Sequence, residues 1–470
     1  YEEAQEYATG TAYTKTVTTK YDAAWNRVSE VYPSGLSLTY SYNDVNALSS
    51  VTDGTNTIAS FSYIGFRAKV TTFGNGATQT NTYGGFREDL TTIHHETSAP
   101  ATMVRMDYGY NKLHDRTYER FGASGSAGDA FEYDNAGRLT KAWMGSSTPG
   151  SPSGNTYVQT IAYNMDDDGN RSSVVVTPYG VSPTTTSYTT NSLNQYTAVG
   201  GTSQSYDANG NLTNNGTLTF KYNYKNLVTE VRQSSGGALV AEYLYDANGR
   251  RVVKNVSGGI FERYIYSGVD VISVLDGTQA RKQDFVFDVT GIDRILMLEQ
   301  ADVLDQDGDS NSTELTRSFY HRNAIGSVMR ISTASQTEAS TYRYAPFGEV
   351  TITRGGSIQS ADPLGQSLAY ASRSNDSETG LTYLRTRLQD PKSGRFLQRD
   401  PEGYAAGSGL YEAFSSSPYV YIDPVGDKPR RCNYNTGAML ADATDWVVTK
   451  SERRHKYTTM QCAPQDYADL

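Results

Sequence analysis

Two aspartates stand in the same frame, Asp400-Pro401-Glu402-Gly403 and Asp423-Pro424-Val425-Gly426, with the acids 23 positions apart. Cutting a peptide with carboxylates takes two of them, close together and in different protonation states. One activates a water as base; the other, kept protonated by its neighbour's charge, polarises the carbonyl. Proline fixes φ after each aspartate and glycine permits a sharp bend, so each carboxylate can be held on a rigid corner. The same residues also make plain strand-end turns, and spacing alone does not choose between the two. Arg399, directly before Asp400, either orients a carboxylate, holds the strand to be cut, or is a solvated arginine paired with Asp390 or Glu402.

Other constellations offer less. Asp305, Asp307 and Asp309 alternate within a polar run, which is a weak calcium option. An EF-hand loop needs glycine at position 310 and glutamate at 316, and the chain has Ser310 and Thr316, so a polar hairpin tip is the simpler reading. Asp166-Asp167-Asp168-Gly169 reads as a turn in the same way. The histidines, His94, His95, His114, His321 and His455, are scattered through the sequence, and no zincin, nucleophile-elbow or P-loop motif occurs. No metal or other cofactor is expected. Cys432 and Cys462 are too few for a metal site; they form one disulfide in an exported protein or remain two free thiols.

The elements that must position the aspartates are written in the composition. Tyrosine is the outlier, with 37 residues against 14 Phe and 3 Trp, and glycine reaches 43. Tyrosine and threonine favour pleated, half-buried surfaces, and glycine supplies the turns between them. Apolar content of 37% is low for one compact core and suits an array of thin sheets whose tyrosine rings are buried while their hydroxyls reach water. A net charge of −10 argues against a general nucleic-acid or anionic-membrane binder. No apolar run is long enough to span a bilayer as a helix. The chain opens on Tyr1 without a basic-then-apolar leader, which reads as a mature or trimmed product and says nothing about export.

One phrase recurs: tyrosine, Asp or Asn, a short polar turn, then Arg or Asn and an apolar residue. Its clearest copies are Tyr133-Asp134-Asn135-Ala136-Gly137-Arg138-Leu139, Tyr206-Asp207-Ala208-Asn209-Gly210-Asn211-Leu212 and Tyr245-Asp246-Ala247-Asn248-Gly249-Arg250. Weaker copies begin at Tyr21, Tyr42, Tyr110, Tyr163 and Tyr222. In each, Tyr-Asp ends a strand, Asn-Gly is expected to take the positive-φ positions of a tight turn, and the return strand follows. An isolated hairpin is marginal in water, so neighbours must join edge to edge. The body is predicted to be nearly all β.

These phrases resemble the Rhs/YD-repeat family over roughly residues 15–427. Tyr320 to Val328 resembles that family's Tyr-x-x-Asp-x-x-Gly-Ser strand pair, and Tyr342-Arg343-Tyr344-Ala345-Pro346-Phe347-Gly348-Glu349 resembles its Tyr-x-Tyr-Asp-Pro-Phe-Gly-Glu turn, with Ala345 in place of Asp. Residues 376–427 resemble its conserved core module. The resemblance implies a spiral of hairpins forming a hollow, cocoon-like shell closed by a C-terminal plug. It also implies that two Asp-Pro-x-Gly-Leu units separated by 18 residues form a self-cleaving aspartyl site. Here residues 405–422 supply that gap, which casts Asp400 and Asp423 as catalytic, matches Arg399 to a basic motif position, and puts the cut between Asp427 and Lys428. Tyr404 and Asp427 stand where the family has leucine. The acid at 427 brings a third carboxylate that can disturb proton sharing and slow or abolish the cut.

The resulting expectation is an all-β shell over residues 1–316, the end of the shell with its core module over 317–427, and a C-terminal tail over 428–470. The tail is basic in two places, with a short helix over 438–448, and is thin for a domain of its own. The function implied by the resemblance is a bacterial, secreted or cell-surface shell that encloses and frees its own C-terminal segment, as in Rhs effectors and toxin-complex C components. An extracellular adhesion or surface-assembly protein, with the aspartate module as an inactive plug, is the alternative. An enzyme acting on an external substrate has no second constellation to support it. The partners implied are the chain's own C-terminal segment, delivery or surface-assembly proteins, or further copies of itself.

Overall fold

The computed structural model describes residues 2–8, 14–85, 89–122, 125–301, 314–406 and 409–431. Within each sheet, each strand pairs antiparallel with the next in sequence. The first sheet holds 18 strands, from Glu2–Ala8 to Thr202–Ser203, and the second holds 15, from Ser205–Tyr206 to Ser357–Gln359. A four-stranded sheet follows over Ser374–Asp376, Leu381–Leu384, Arg387–Asp390 and Arg395–Phe396, and Tyr421–Ile422 pairs with Arg430–Arg431.

The tyrosine phrase builds these hairpins, with two corrections to the sequence reading. Only one residue of each turn has positive φ: Gly137, Gly210 and Gly249 in the clear copies, and Trp25, Asn46, His114, Asn194 or Asn226 elsewhere. At Tyr133 the Gly137 amide donates to the Asp134 carbonyl, the Asp134 amide donates to Arg138, and the register slips at Tyr133. That is a four-residue turn followed by one left-handed residue and a bulge, not a two-residue Asn-Gly turn. The aspartate earns its place by accepting the amides of Ala136 and Arg138, each at 2.9 Å.

The second correction concerns the tyrosine hydroxyls, which the sequence reading sends to water. In the repeats they donate to backbone carbonyls one hairpin upstream: Tyr110 to Leu90 at 2.7 Å, Tyr133 to Arg116 at 2.6 Å, Tyr245 to Val228 at 2.8 Å and Tyr266 to Arg251 at 2.7 Å. Each ring therefore fills the core while its hydroxyl ties one repeat to its predecessor, which phenylalanine cannot do. The phrase's arginine reaches forward instead, Arg138 to the Asp166 carbonyl and Arg250 to that of Gly268.

The two sheets share one core, in which Val17, Leu38, Leu48, Ile58 and Phe73 meet Ile265, Val286, Leu298, Phe319 and Ile331. Tyr32 donates to the Phe285 carbonyl at 2.9 Å, and Asn75 donates to that of Thr333 at 2.9 Å. His95 and His321, distant in sequence, face each other at 2.9 Å between their Nδ1 atoms. The spiral thus returns on itself, and the terminal module packs against the sheets it joins. Leu384, Phe396, Phe414 and Tyr419 join Phe131, Leu139 and Ile161, while Leu381, Tyr383, Leu388 and Leu397 join Phe220, Val228 and Tyr243.

One buried acid pair lies in the first sheet. Glu119 and Asp129 oppose each other across neighbouring strands, and both are buried. Burial, with the charge of Glu119 added, pushes the Asp129 carboxyl up to about 7. An acid whose folded pKa is raised binds more protons folded than unfolded, so its ionisation costs stability as pH climbs from the ordinary carboxylate range to about 7. Asp129→Asn keeps an acceptor for the Gly145 amide, 2.8 Å from Oδ1. It is expected to raise the thermal midpoint by several degrees at about pH 8 and much less at about pH 4. Equal increments at both pH values would show that the carboxylate is not titrating there.

Candidate functional site

Both Asp-Pro-x-Gly units form the expected corners. Asp423 Oδ1 accepts the amides of Gly426 at 2.7 Å and Asp427 at 3.2 Å, and Asp400 Oδ1 accepts the amide of Glu402 at 2.9 Å. Glycine closes each corner with positive φ, at +60° for Gly403 and +80° for Gly426. One carboxylate oxygen of each acid is thereby committed to its own turn.

The other oxygens converge on a residue that sequence reasoning missed. Arg387, at the start of strand Arg387–Asp390, puts Nη1 3.0 Å from Asp400 Oδ2 and Nη2 3.3 Å from Asp423 Oδ2. Its guanidinium lies over the Phe396 ring, 3.6 Å from the centroid, and its Nε donates to the Gly426 carbonyl. The turn reading and the paired-acid reading are therefore both realised, by different oxygens of the same side chains. Arg399 stands apart: it is exposed, and its aliphatic stem lies over Gly210, outside this junction.

The chain leading to the 427–428 bond is held along its length. Arg373 donates to the Pro424 carbonyl at 2.7 Å, and Arg385 donates to the same oxygen. Thr386 Oγ1 donates to the Gly426 carbonyl at 2.6 Å, and the Thr386 amide donates to the Val425 carbonyl at 3.1 Å. Three consecutive carbonyls are thus engaged by donors from residues 373 and 385–387. Beyond the bond, Lys428 is exposed, and the chain turns back to pair Arg430–Arg431 with Tyr421–Ile422. Arg431 then meets Asp115 Oδ1 and the Leu113 carbonyl, each at 2.6 Å.

Burial sets the electrostatics. It raises the Asp423 carboxyl above its ordinary value, opposed by Arg387 and reinforced by the charge of Asp427. Asp400 is raised for the same first reason, with Arg387 again opposing. Arg387 sits between Asp400 and Asp423, and burial outweighs its charge at both, so each carboxyl favours its protonated form more than it would in water.

The signal for Arg387 lay in Arg385-Thr386-Arg387, flanked by residues that alternate apolar and polar in a buried hairpin. Arginines inside such a hairpin need acid partners close by. The calcium option at Asp305, Asp307 and Asp309, the cysteines Cys432 and Cys462, and the helix over 438–448 fall outside the described residues. Asp166 to Asn170 is a turn, closed by the Asp166 amide on the Asn170 carbonyl at 2.8 Å.

Fold and corner together define a YD-repeat β-shell with an arginine-bridged aspartate pair at its closing module. The sequence model of the teneurin YD-shell family matches residues 129–407, and the chain belongs to that family. Among curated relatives, the tRNA3(Ser)-specific nuclease WapA of Bacillus spizizenii is 32% identical over 270 residues, which cover 57% of this chain and 11% of the relative. Double-stranded DNA deaminase toxin A of Burkholderia cenocepacia is 26% identical over 47% of this chain and 16% of its own. The chain therefore spans only about a tenth to a sixth of these relatives. Among solved structures, TcdB2-TccC3 superposes with a TM-score of 0.73 at 19% identity, over 88% of this chain and 22% of that one. The Photorhabdus luminescens Tc holotoxin pore superposes with a TM-score of 0.71 at 18% identity, over 89% and 21%. These likenesses bear out the all-β YD shell expected from the sequence and relate it to toxin and effector proteins.

Proposed function

We propose that this chain is part of an exported or surface-displayed bacterial shell that encloses its own C-terminal segment and frees it by cutting itself between Asp427 and Lys428. In this reading residues 1–316 form the wall, 317–427 its end and closing module, and 428–470 the segment or its beginning. Asp400 and Asp423 share the acid and base roles, and Arg387, not Arg399, positions them. The observation that carries the reading is the convergence of both carboxylates on Arg387 beside a stretch of chain clamped carbonyl by carbonyl up to Gly426. Holding the reacting strand against paired acids is what intramolecular peptide hydrolysis requires. No cofactor enters it. Relatives named as nucleases and a deaminase toxin, and neighbours that assemble in Tc complexes, support a cargo and a delivery partner for the shell.

Intact mass under denaturing conditions tests the reading. A fragment ending at Asp427 is expected, formed at least about a hundredfold more slowly in Asp400→Asn and in Asp423→Asn. An uncut wild-type chain sinks the cleavage and favours the second reading, an extracellular structural or adhesion shell with an inactive plug. That alternative rests on the Oδ1 atoms of Asp400 and Asp423, which hold their own turns as a merely architectural corner does.

A further inference from the structure

Asp427 follows the second Asp-Pro-x-Gly unit directly, and its surroundings make an acid at that position chemically useful. Its amide is fixed on Asp423 Oδ1 at 3.2 Å, and the carbonyl before it, that of Gly426, takes donors from Thr386 and Arg387. The backbone entering the bond is therefore held on both sides of the 426–427 peptide. Its own Oδ1 is buried and accepts no hydrogen bond. An oxygen with no donor of its own has no hydrogen bond to give up before it attacks. Asp400, Asp423 and Arg387 all feel the charge of this carboxylate, so it lies within the same electrostatic site.

We propose that the Asp427 side chain is the nucleophile that opens its own peptide bond to Lys428. This role rests on the self-cleavage proposed above and assigns the attacking group, which a leucine at this position leaves to water. A carboxylate oxygen of Asp427 bonds to the Asp427 backbone carbonyl carbon, closing a five-membered cyclic anhydride. The bond from that carbon to the Lys428 nitrogen breaks, and the nitrogen keeps the electron pair and takes a proton from the protonated member of the Asp400–Asp423 pair. One water then opens the anhydride at either of its two carbonyls, and its proton restores the acid pair. The net change is one peptide bond and one water consumed, one carboxyl and one amine formed, with nothing oxidised or reduced. Closing a small ring from a fixed backbone gains the advantage of an intramolecular attack, on the order of 10⁵–10⁸ M in effective concentration.

The two routes differ in where the water's oxygen ends. We would synthesise the full chain in a cell-free system in water enriched in heavy oxygen, isolate the fragment ending at Asp427, and locate the label by tandem mass spectrometry. Attack by Asp427 is expected to leave heavy oxygen partly in its side-chain carboxyl, above the level in fragment already cut in ordinary water and then soaked in the labelled water. Label confined to the new α-carboxyl overturns the role of Asp427 and leaves the self-cleavage reading standing. A chain that is never cut overturns both. Asp427→Glu gives a second readout, because it keeps the charge but enlarges the ring. Cutting is expected to slow by at least about tenfold; an unchanged rate overturns the assignment.

Discussion

Gly426→Ala is expected to unseat the second aspartate corner, abolish the proposed cut, and cost on the order of 3–5 kcal/mol of stability. The backbone there has φ of +80°, and a Cβ would sit 2.3 Å from the Leu384 carbonyl oxygen and 2.9 Å from Thr386 Oγ1. An L side chain in that conformation costs roughly 1–2 kcal/mol before any clash. The clash is with backbone, so no rotamer change relieves it, and the chain must lift away from the hairpin that carries Arg387. Gly403 occupies the same place in the first unit, with φ of +60° and nothing within 4 Å of the added atom. Gly403→Ala should therefore cost only the backbone term, about 1–2 kcal/mol, and keep the cut. Thermal unfolding with intact mass on both variants reads the contrast. Equal losses at the two glycines would mean that packing at Gly426 does not matter.

The second large effect is expected at Asp376, which fastens the closing module to the shell wall. Arg251 Nη1 meets its Oδ2 at 2.6 Å and Nη2 meets Oδ1 at 3.0 Å; Lys254 Nζ approaches Oδ1 at 3.1 Å and Glu378 Oε2 at 3.1 Å. The Arg251 guanidinium is sandwiched near Tyr243 and Tyr383, at 4.9 and 4.3 Å from their centroids. Burial works against the Asp376 charge, but Arg251 and Lys254 outweigh it and hold the carboxyl below its ordinary value. An acid depressed in this way stabilises above the unfolded pKa and loses that contribution only as pH falls through the lowered folded value, so mild acid leaves the anchor intact. Asp376→Ala strands two buried cations with Glu378 alone and should cost about 3–5 kcal/mol. Replacing the pair together, Arg251→Met with Asp376→Leu, should recover most of the loss, because the expense lies in the charge left unpaired. If the double variant is no more stable than Asp376→Ala, packing around the guanidinium matters more than its charge.

What was legible in the sequence was local, and what escaped was distant. The tyrosine phrase gave the hairpins because turn chemistry is settled within a few residues of Asp134 or Asp246. Even there the residues point to the wrong turn type, since Asn135 and Asn248 invite a two-residue turn that the bulge at the tyrosine replaces. The sequence offers the tyrosine hydroxyls no partner but water, because their acceptors, the carbonyls of Arg116 and Val228, belong to other hairpins. The frame around Asp400 and Asp423 showed the two corners but not what joins them. Arg387 lies before both and reaches them only once the hairpin and the corners have packed together. Arg399 was favoured by adjacency, yet adjacent side chains on an extended chain point to opposite sides.

The backbone pairing of Arg430–Arg431 with Tyr421–Ile422, and the grip of Arg431 on Asp115, also separate severance from departure. A chain opened after Asp427 as proposed would keep its new amino end zipped to the strand that precedes the break, at the third and fourth residues past the lost bond. A particle nicked in this way should travel as one body through a sizing column and come apart only under denaturant or pulling force. In the proposed cut, breaking the bond would arm the assembly, and undoing this short pairing would complete the release.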